Sequence, residues 1–161
     1  MSNLLQLPRT AGCVVCGNEN PHGLRLTSRV SVESGDVTTE FTVLPQHIGF
    51  QGIIHGGITA TVLDEAMVWA ATWSGKRFCL AGEITVRFRK PIAVGTLLHI
   101  KARVVSARGR IILTEGTAID GDVVVAEATG KYMQVPIEQH HAMVATFVDE
   151  PAARQAASML A

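Results

Sequence analysis

Alternating hydrophobic and polar positions occupy most of the chain between residues 24 and 135, and they predict a protein built largely of β-strands. Two strands are expected within residues 24–43, separated by the tight turn Ser34-Gly35-Asp36. Short turn-forming stretches rich in Gly, Asp or Pro divide the later part of the chain. Between them we expect four further strands, at residues 78–90, 96–107, 110–119 and 123–135.

One segment between these strands has a different pattern of hydrophobic residues. Residues 57–74 are rich in Ala, Leu, Met and Trp and predict a long helix ended by Gly75. Its apolar residues surround the axis, which is typical of a helix enclosed by other structure. The sequence therefore predicts an α+β domain, with an antiparallel sheet of about six strands wrapped around one long central helix. Because one helix covers only part of such a sheet, we also expect a homo-oligomer, either a dimer or a dimer of dimers.

The two ends of the chain carry weaker patterns. Residues 1–23 are punctuated by Pro, Gly and Asn, and we expect them to form an irregular N-terminal segment. Residues 136–161 are expected to form a C-terminal tail with a short helix that begins near Asp149 and Pro151. No repeat or second domain is evident, so residues 1–161 are interpreted as a single domain.

Composition excludes several classes of protein. The chain has 161 residues, of which 47% are hydrophobic and 17% charged, and its formal net charge is zero. Such an apolar chain can bury enough surface to fold, which excludes intrinsic disorder. A neutral chain also has no broad positive field for a nucleic acid or an anionic membrane surface, so we expect neither partner.

The mean hydropathy of +0.26 raises the possibility of a membrane protein. The longest apolar run, residues 58–73, contains Asp64 and Glu65 near its middle, and two carboxylates at that depth in a bilayer would be costly. The N-terminus lacks the basic start and apolar run of a signal peptide, and three cysteines do not make a secreted disulfide framework. We therefore expect a cytoplasmic protein with no membrane partner.

The main candidate for chemistry is His55-Gly56-Gly57, followed by Asp64 and Glu65 within the predicted helix. Two glycines allow a ligand to approach the backbone closely, and the free N–H groups at a helix N-terminus favour a negatively polarised oxygen. This arrangement is suited to stabilising an oxyanion. Asp64 follows at about 10 Å along the helix axis, where its carboxylate could hold a water, provided that a partner chain or loop completes the pocket.

The two carboxylates must have different surroundings. No Lys or Arg lies between His55 and Lys76 to form an ion pair within the helix, and successive helical residues point about 100° apart. We expect one of Asp64 and Glu65 to face a site and the other a polar partner or a second subunit. Pairing of both acids with neighbouring strands, or with Arg residues of another chain, remains the alternative.

Residues 50–66, with the sequence FQGIIHGGITATVLDEA, resemble the signature of hotdog-fold acyl-CoA thioesterases of the PaaI-like branch of the thioesterase superfamily. Residues 13–17 and 20–24 also resemble a segment that precedes the fold in some members. The resemblance implies that the Gly56 N–H donates to the thioester oxygen, that His55 orients the turn or contacts the carbonyl, and that Asp64 is the general base or nucleophile. Glu65 would be an auxiliary carboxylate at the subunit interface.

The sequence departs from this family at two positions. Many relatives carry Asn or Gln six positions before the histidine, where this chain has Gly49, and Gln51 is a nearby substitute. Several relatives supply Ser or Thr from the strand after the helix, where this chain has Ala81. Gln51 and Gly57 are accordingly expected to contact the substrate together with Glu65.

Basic residues on the strand after the helix are candidates for binding the phosphates of CoA. Arg87, Arg89 and Lys90 follow one another closely, and guanidinium groups pair well with phosphate. The alternative is an ordinary solvated strand face, since residues 83–90 alternate strictly. The same two interpretations apply to Arg108 and Arg110 at a hairpin turn.

Cysteine and histidine positions suggest no complete metal site. Cys13-x-x-Cys16 offers half of a tetrahedral zinc site, and the chain has no second such pair. We expect no metal and no cofactor; a zinc site shared between subunits, or one that uses His22, is the alternative. Cys79 is expected to be a buried thiol, and His140-His141 a surface pair.

These observations lead to one function and two alternatives. The expected function is that of an acyl-CoA thioesterase, which hydrolyses an acyl-CoA thioester to free CoA and a carboxylic acid. A non-catalytic hotdog protein that binds acyl-CoA or lipid is one alternative, and a hotdog enoyl-CoA hydratase or dehydratase is the other.

Overall fold

A computed structural model describes residues 3–161. The regular structure of these residues consists of three α-helices, seven β-strands and two short 3₁₀-helices, Pro45–His47 and Pro151–Ala153. The helices are α1 (Gly56–Gly75), α2 (Ile137–Val144) and α3 (Arg154–Leu160). The strands are β1 (Leu4–Gln6), β2 (Ser28–Ser31), β3 (Val37–Thr42), β4 (Cys79–Phe88), β5 (Leu97–Arg108), β6 (Ile111–Asp120) and β7 (Val123–Gln134).

The strands form one antiparallel sheet in the order β1-β2-β3-β5-β6-β7-β4. The strand that follows α1 is therefore placed at the edge of the sheet beside β7, away from β5, its successor in the chain. The predicted antiparallel sheet around a central helix is confirmed. The small strand β1 brings the number of strands to seven and lies within the segment that was expected to be irregular.

Helix α1 packs against one face of this sheet. Its buried residues surround the axis and include Leu63, Met67, Trp69 and Trp73, as its all-round apolar sequence predicts. The sheet approaches closely at Gly116 of β6, where a Cβ atom would lie 3.1 Å from Cγ of Met67. The helix begins at Gly56, one residue earlier than expected, and ends at Gly75 before Lys76 adopts a left-handed conformation with φ of 50°.

The C-terminal tail contains two helices, α2 and α3, where the sequence predicted only the second. The expectation that His140 and His141 form a surface pair is wrong for His140, which is buried. Its Nδ1 accepts a hydrogen bond of 3.0 Å from the Phe78 N–H, and its Nε2 lies 2.7 Å from the Leu160 carbonyl oxygen. One histidine side chain thus links the tail to the start of β4.

No helix within residues 3–161 combines the length and the hydropathy that a membrane span requires.

Candidate active site

The loop before α1 presents His55 as the residue that caps the helix. Nδ1 of His55 accepts a hydrogen bond of 2.9 Å from the Gly57 N–H, and the His55 N–H donates to the His47 carbonyl oxygen at 2.8 Å. Because Nδ1 is an acceptor, the neutral imidazole carries its proton on Nε2. The exposed side chain of His55 therefore offers a hydrogen-bond donor at the N-terminus of the helix.

The two glycines of this turn serve different purposes. At position 57 a Cβ atom would lie 2.9 Å from Nδ1 of His55, so a side chain there would disturb the cap. The Gly57 N–H is already used by His55. The Gly56 N–H, in contrast, has no acceptor among residues 3–161 and is available to a ligand at the positive end of the helix dipole.

The residue at position 49 lies against His55. A Cβ atom on Gly49 would come within 3.1 Å of both Cα and Cδ2 of His55, which is closer than ordinary contact distance. The glycine at this position thus leaves room for the histidine ring. Gln51 is exposed in the same loop.

Asp64, on the second turn of α1 after the glycines, receives a hydrogen bond from the sheet. The hydroxyl of Tyr132 on β7 donates to its Oδ1 at 2.6 Å. Burial, and then this hydrogen bond, raise the pKa of Tyr132, which stays protonated and can only donate to the carboxylate. Asp64 itself is partly exposed.

Tyr132 was missed by sequence reasoning, which looked for a hydroxyl at Ala81. In the sheet Ala81 and Tyr132 are paired directly across β4 and β7, so the hydroxyl near Asp64 comes from the neighbouring strand. Gly130 makes room for it, because a Cβ atom there would lie 2.4 Å from the tyrosine ring. The sequence does contain a signal for this residue. Tyr132 is the single tyrosine of the chain, and it occupies an inward-facing position of a predicted strand.

Glu65 has separate surroundings, as predicted from the angle between successive helical residues. The Trp69 indole N–H donates to its Oε1 at 3.0 Å, and the thiols of Cys13 and Cys16 lie beside the carboxylate. Burial raises the pKa of Glu65 to about 7, with a further contribution from Cys13. The structure therefore places Glu65 against the N-terminal segment of its own chain, whereas Asp64 meets Tyr132.

Residues 51–128, slightly less than half of the chain, match the model of the family described as Thioesterase superfamily. The chain has the hotdog fold, and the matched part of it is similar to the thioesterase superfamily. The matched residues include the His55 turn, all of α1, the strands β4, β5 and β6, and the first half of β7.

One curated relative is the Caenorhabditis elegans protein named "Putative esterase F42H10.6". It is 31% identical to this chain over 87 residues, which are 53% of this chain and 52% of the relative. The hotdog protein described here thus spans about half the length of that relative.

Solved structures share the fold at low sequence identity. The thioesterase superfamily protein RHA08564 has 23% identity and a TM-score of 0.71, with 77% of this chain and 61% of that chain covered. The Escherichia coli PaaI protein from the phenylacetic acid degradation operon has 22% identity and a TM-score of 0.64, with 70% and 81% covered. The protein smu.793 from Streptococcus mutans, solved bound to acetyl CoA, has 22% identity and a TM-score of 0.61, with 66% and 86% covered.

The basic residues of β4 are not brought to the turn of their own hotdog domain. The Phe88 ring lies on the inner face of β4, where a Cβ atom on Gly56 would meet it at 3.2 Å. Arg87 is the neighbouring residue on β4 and therefore points to the opposite face. Arg89 and Lys90 lie just beyond the end of the strand, where Arg89 forms an ion pair with Glu127 and Lys90 is exposed.

Replacing Tyr132 with phenylalanine tests the hydrogen bond to Asp64. Tyr132→Phe keeps the ring that packs over Gly130 and removes only the donor hydroxyl. Because a hydrogen bond to a charged group contributes about 1.5–3 kcal/mol, we expect kcat to fall by roughly 10- to 100-fold while KM changes little. Steady-state kinetics with the acyl-CoA substrate proposed below measure both constants, and an unchanged kcat would show that the hydroxyl does not orient Asp64.

Proposed function

We propose that this protein is an acyl-CoA thioesterase that hydrolyses the thioester to free CoA and a carboxylic acid. The observation that carries the proposal is the Gly56 N–H, which is left without an acceptor at the N-terminus of the enclosed helix, beside the donor Nε2 of His55. A free N–H at the positive end of a helix is suited to the oxygen of a thioester carbonyl, whose negative charge grows during attack, and the exposed His55 side chain is a second candidate donor.

The reaction assigns a role to each group. The carbonyl oxygen of the thioester accepts hydrogen bonds from Gly56 and His55. Asp64, held by Tyr132, removes a proton from a water molecule as that water forms a C–O bond to the acyl carbon. When the tetrahedral intermediate collapses, the C–S bond breaks and the proton on Asp64 passes to the departing sulfur, which gives free CoA and restores the carboxylate.

The spacing along α1 supports a site shared by two subunits. Asp64 lies eight positions after Gly56, so their Cα atoms are about 12 Å apart along the axis and about 80° apart around it. During the reaction, the oxyanion donor and the carboxylate are joined by a hydrogen bond, the carbonyl group, the attacking water and the hydrogen bond from that water. This series of contacts spans about 9 Å, which is less than the spacing along the helix. We therefore infer that the Gly56 turn of one subunit works with Asp64 of its partner.

The edge strand β4 supports such a dimer. Within the described residues β4 pairs only with β7, so its other edge has free backbone groups, and Leu80, Ile84 and Phe88 remain exposed on it. A long apolar sheet edge favours pairing with another strand, and a two-fold axis would place two β4 strands side by side.

The proposed dimer also bears on the other substrate contacts that the sequence predicts. Arg87 lies near the end of β4 and Arg89 and Lys90 follow it; binding of the CoA phosphates by these three residues is part of the proposal, because guanidinium and ammonium groups pair well with phosphate. Gln51 lies in the loop that precedes the turn and would contact the substrate there. Gly57 contributes an open backbone rather than its N–H, and Glu65 acts indirectly through the helix. The cytoplasmic location expected from cysteine usage is part of the same proposal.

A thiol-release assay tests the function. The purified protein is mixed with a panel of short, long and aromatic acyl-CoAs, and free thiol is measured over time. We expect release from at least one member of the panel. Thermal stabilisation by CoA esters without any thiol release would instead support a binding protein, and loss of enoyl-CoA absorbance without thiol release would support a hydratase.

A further inference from the structure

The N-terminal segment places two thiols against the carboxylate of Glu65 on α1. The sulfur atoms of Cys13 and Cys16 and a carboxylate oxygen of Glu65 all lie within 4.8 Å of one another. Two of these residues come from a short turn near the start of the chain, and the third comes from the middle of the central helix. We propose that Cys13, Cys16 and Glu65 bind a zinc ion.

The distances suit zinc coordination. Zn–S bonds of about 2.3 Å and Zn–O bonds of about 2.0–2.2 Å in a tetrahedron place neighbouring ligand atoms about 3.5–3.8 Å apart. Ligand atoms that already lie within 4.8 Å need only small side-chain rotations to reach this geometry. Two thiolates favour zinc over magnesium or calcium, which prefer oxygen ligands. The three protein groups leave the fourth position for a water molecule.

The backbone of the turn that carries the two cysteines stabilises the sulfur atom of Cys13. The backbone N–H groups of Val15 and Cys16 both point to Sγ of Cys13, at 3.4 and 3.5 Å, and such contacts stabilise negative charge on sulfur. Gly17 closes the turn with an N–H bond of 2.9 Å to the Cys13 carbonyl oxygen. A Cβ atom at this glycine would lie 2.4 Å from the Ala11 carbonyl oxygen, so the turn requires glycine there.

The turn is also fixed to the body of the protein. The N–H groups of Leu24 and Leu26 donate to the carbonyl oxygens of Val14 and Val15 at 2.8 and 2.9 Å. The Val15 side chain is part of the buried core. The two sulfur atoms are therefore held next to α1 by contacts that do not involve a metal.

Charge balance gives an independent reason for a cation. Glu65 lies among two thiols, and none of the ion pairs formed by residues 3–161 includes it. A carboxylate removed from water without a cation is unfavourable, and a divalent ion would offset both this charge and that of the thiolates. On binding, the thiol protons are released to solvent. The Trp69 indole N–H fixes Oε1 of Glu65 and so orients the ligand.

The site differs from the zinc site considered from the sequence alone. The third group is Glu65 rather than His22, which is exposed. A zinc ion bound there ties the N-terminal segment to the helical turn that carries Asp64, because Glu65 is the next residue. The inference does not depend on hydrolase activity, since it concerns metal content.

Metal analysis of purified protein tests the site. After dialysis against zinc and then against metal-free buffer, we expect about one zinc per chain in the wild type and almost none in Cys13→Ser/Cys16→Ser. Cys79→Ser is the matched control, because Cys79 is a buried thiol outside the cluster, and it should keep its zinc. Loss of a group that merely orients a ligand costs about 10–100-fold in affinity, so Glu65→Gln should weaken binding at least tenfold.

Two results would overturn the proposal. One is a wild type that retains no more zinc than the double serine variant. The other comes from a second experiment, which is used if the double variant does not fold. The wild type is then loaded with cobalt(II), and we expect the intense absorption that thiolate ligands give to this ion. Cobalt-loaded wild type without that absorption would show that the cysteines do not bind a metal.

Discussion

Asp64→Asn is expected to lower kcat for acyl-CoA hydrolysis by about 10²–10⁴-fold, the range that general-base catalysis contributes. The substitution is nearly isosteric, and the amide oxygen can still accept the hydrogen bond from Tyr132. It removes only the ability to take a proton from water. Asp64→Ala should be at least as inactive, because it also leaves the buried Tyr132 hydroxyl without its partner.

Two controls distinguish a loss of catalysis from the effects of the substitution on folding and on net charge. Asp122→Asn makes the same change at an exposed position in the turn between β6 and β7, and it should keep wild-type turnover. Thermal unfolding of Asp64→Asn should match that of the wild type closely. Unaltered turnover in both Asp64 variants would remove this residue from the mechanism.

Gly56→Pro is expected to lower kcat by about 10²–10³-fold, because it deletes the backbone N–H that we propose binds the developing oxyanion. Proline is well tolerated at the first position of a helix, where the N–H has no helical partner. The preceding residue, His55, has φ of −68° and ψ of 130°, which is the conformation preferred before proline. The backbone can therefore accept this substitution.

Gly56→Ala is the matched control for the proline variant. It adds a Cβ atom at the same place, 3.2 Å from the Phe88 ring, but keeps the N–H. We expect Gly56→Ala to retain most of the activity, with any loss caused by displacement of Phe88. Equal losses in the two variants would mean that crowding, rather than the missing donor, explains the effect, and Gly56 would then have no role as an oxyanion donor.

The fold could be predicted from the sequence because its signals are local. Alternation along the later strands and the all-round apolar character of α1 appear within windows of 10 to 20 residues, and their boundaries agree with the structure to within a few residues. The three-residue strand β1 and the helix α2 could not be predicted in this way. The first is too short to show a period, and the second is stabilised through the contacts of His140 with residues far away in the chain.

The candidate site could be predicted only in part, for a similar reason. His55, Gly56 and Asp64 lie close together in the sequence, so their spacing on one helix was visible. The partners of the two acids are not local: Tyr132 reaches Asp64 across 68 positions of the chain, and Cys13 and Cys16 reach Glu65 from the N-terminal segment. The pairing of β7 with β4 and the packing of the N-terminal turn on α1 determine these contacts.

Subunit complementation tests the central claim most directly, namely that the Gly56 turn of one subunit acts with Asp64 of another. Gly56→Pro and Asp64→Asn subunits with different tags are produced together, and thiol release is compared with that of each variant alone and of the wild type. In random dimers, half are mixed and each mixed dimer contains one intact site, so about a quarter of the wild-type activity should return. Mixed dimers that are as inactive as the two parents, beside an active wild type, would contradict the shared site.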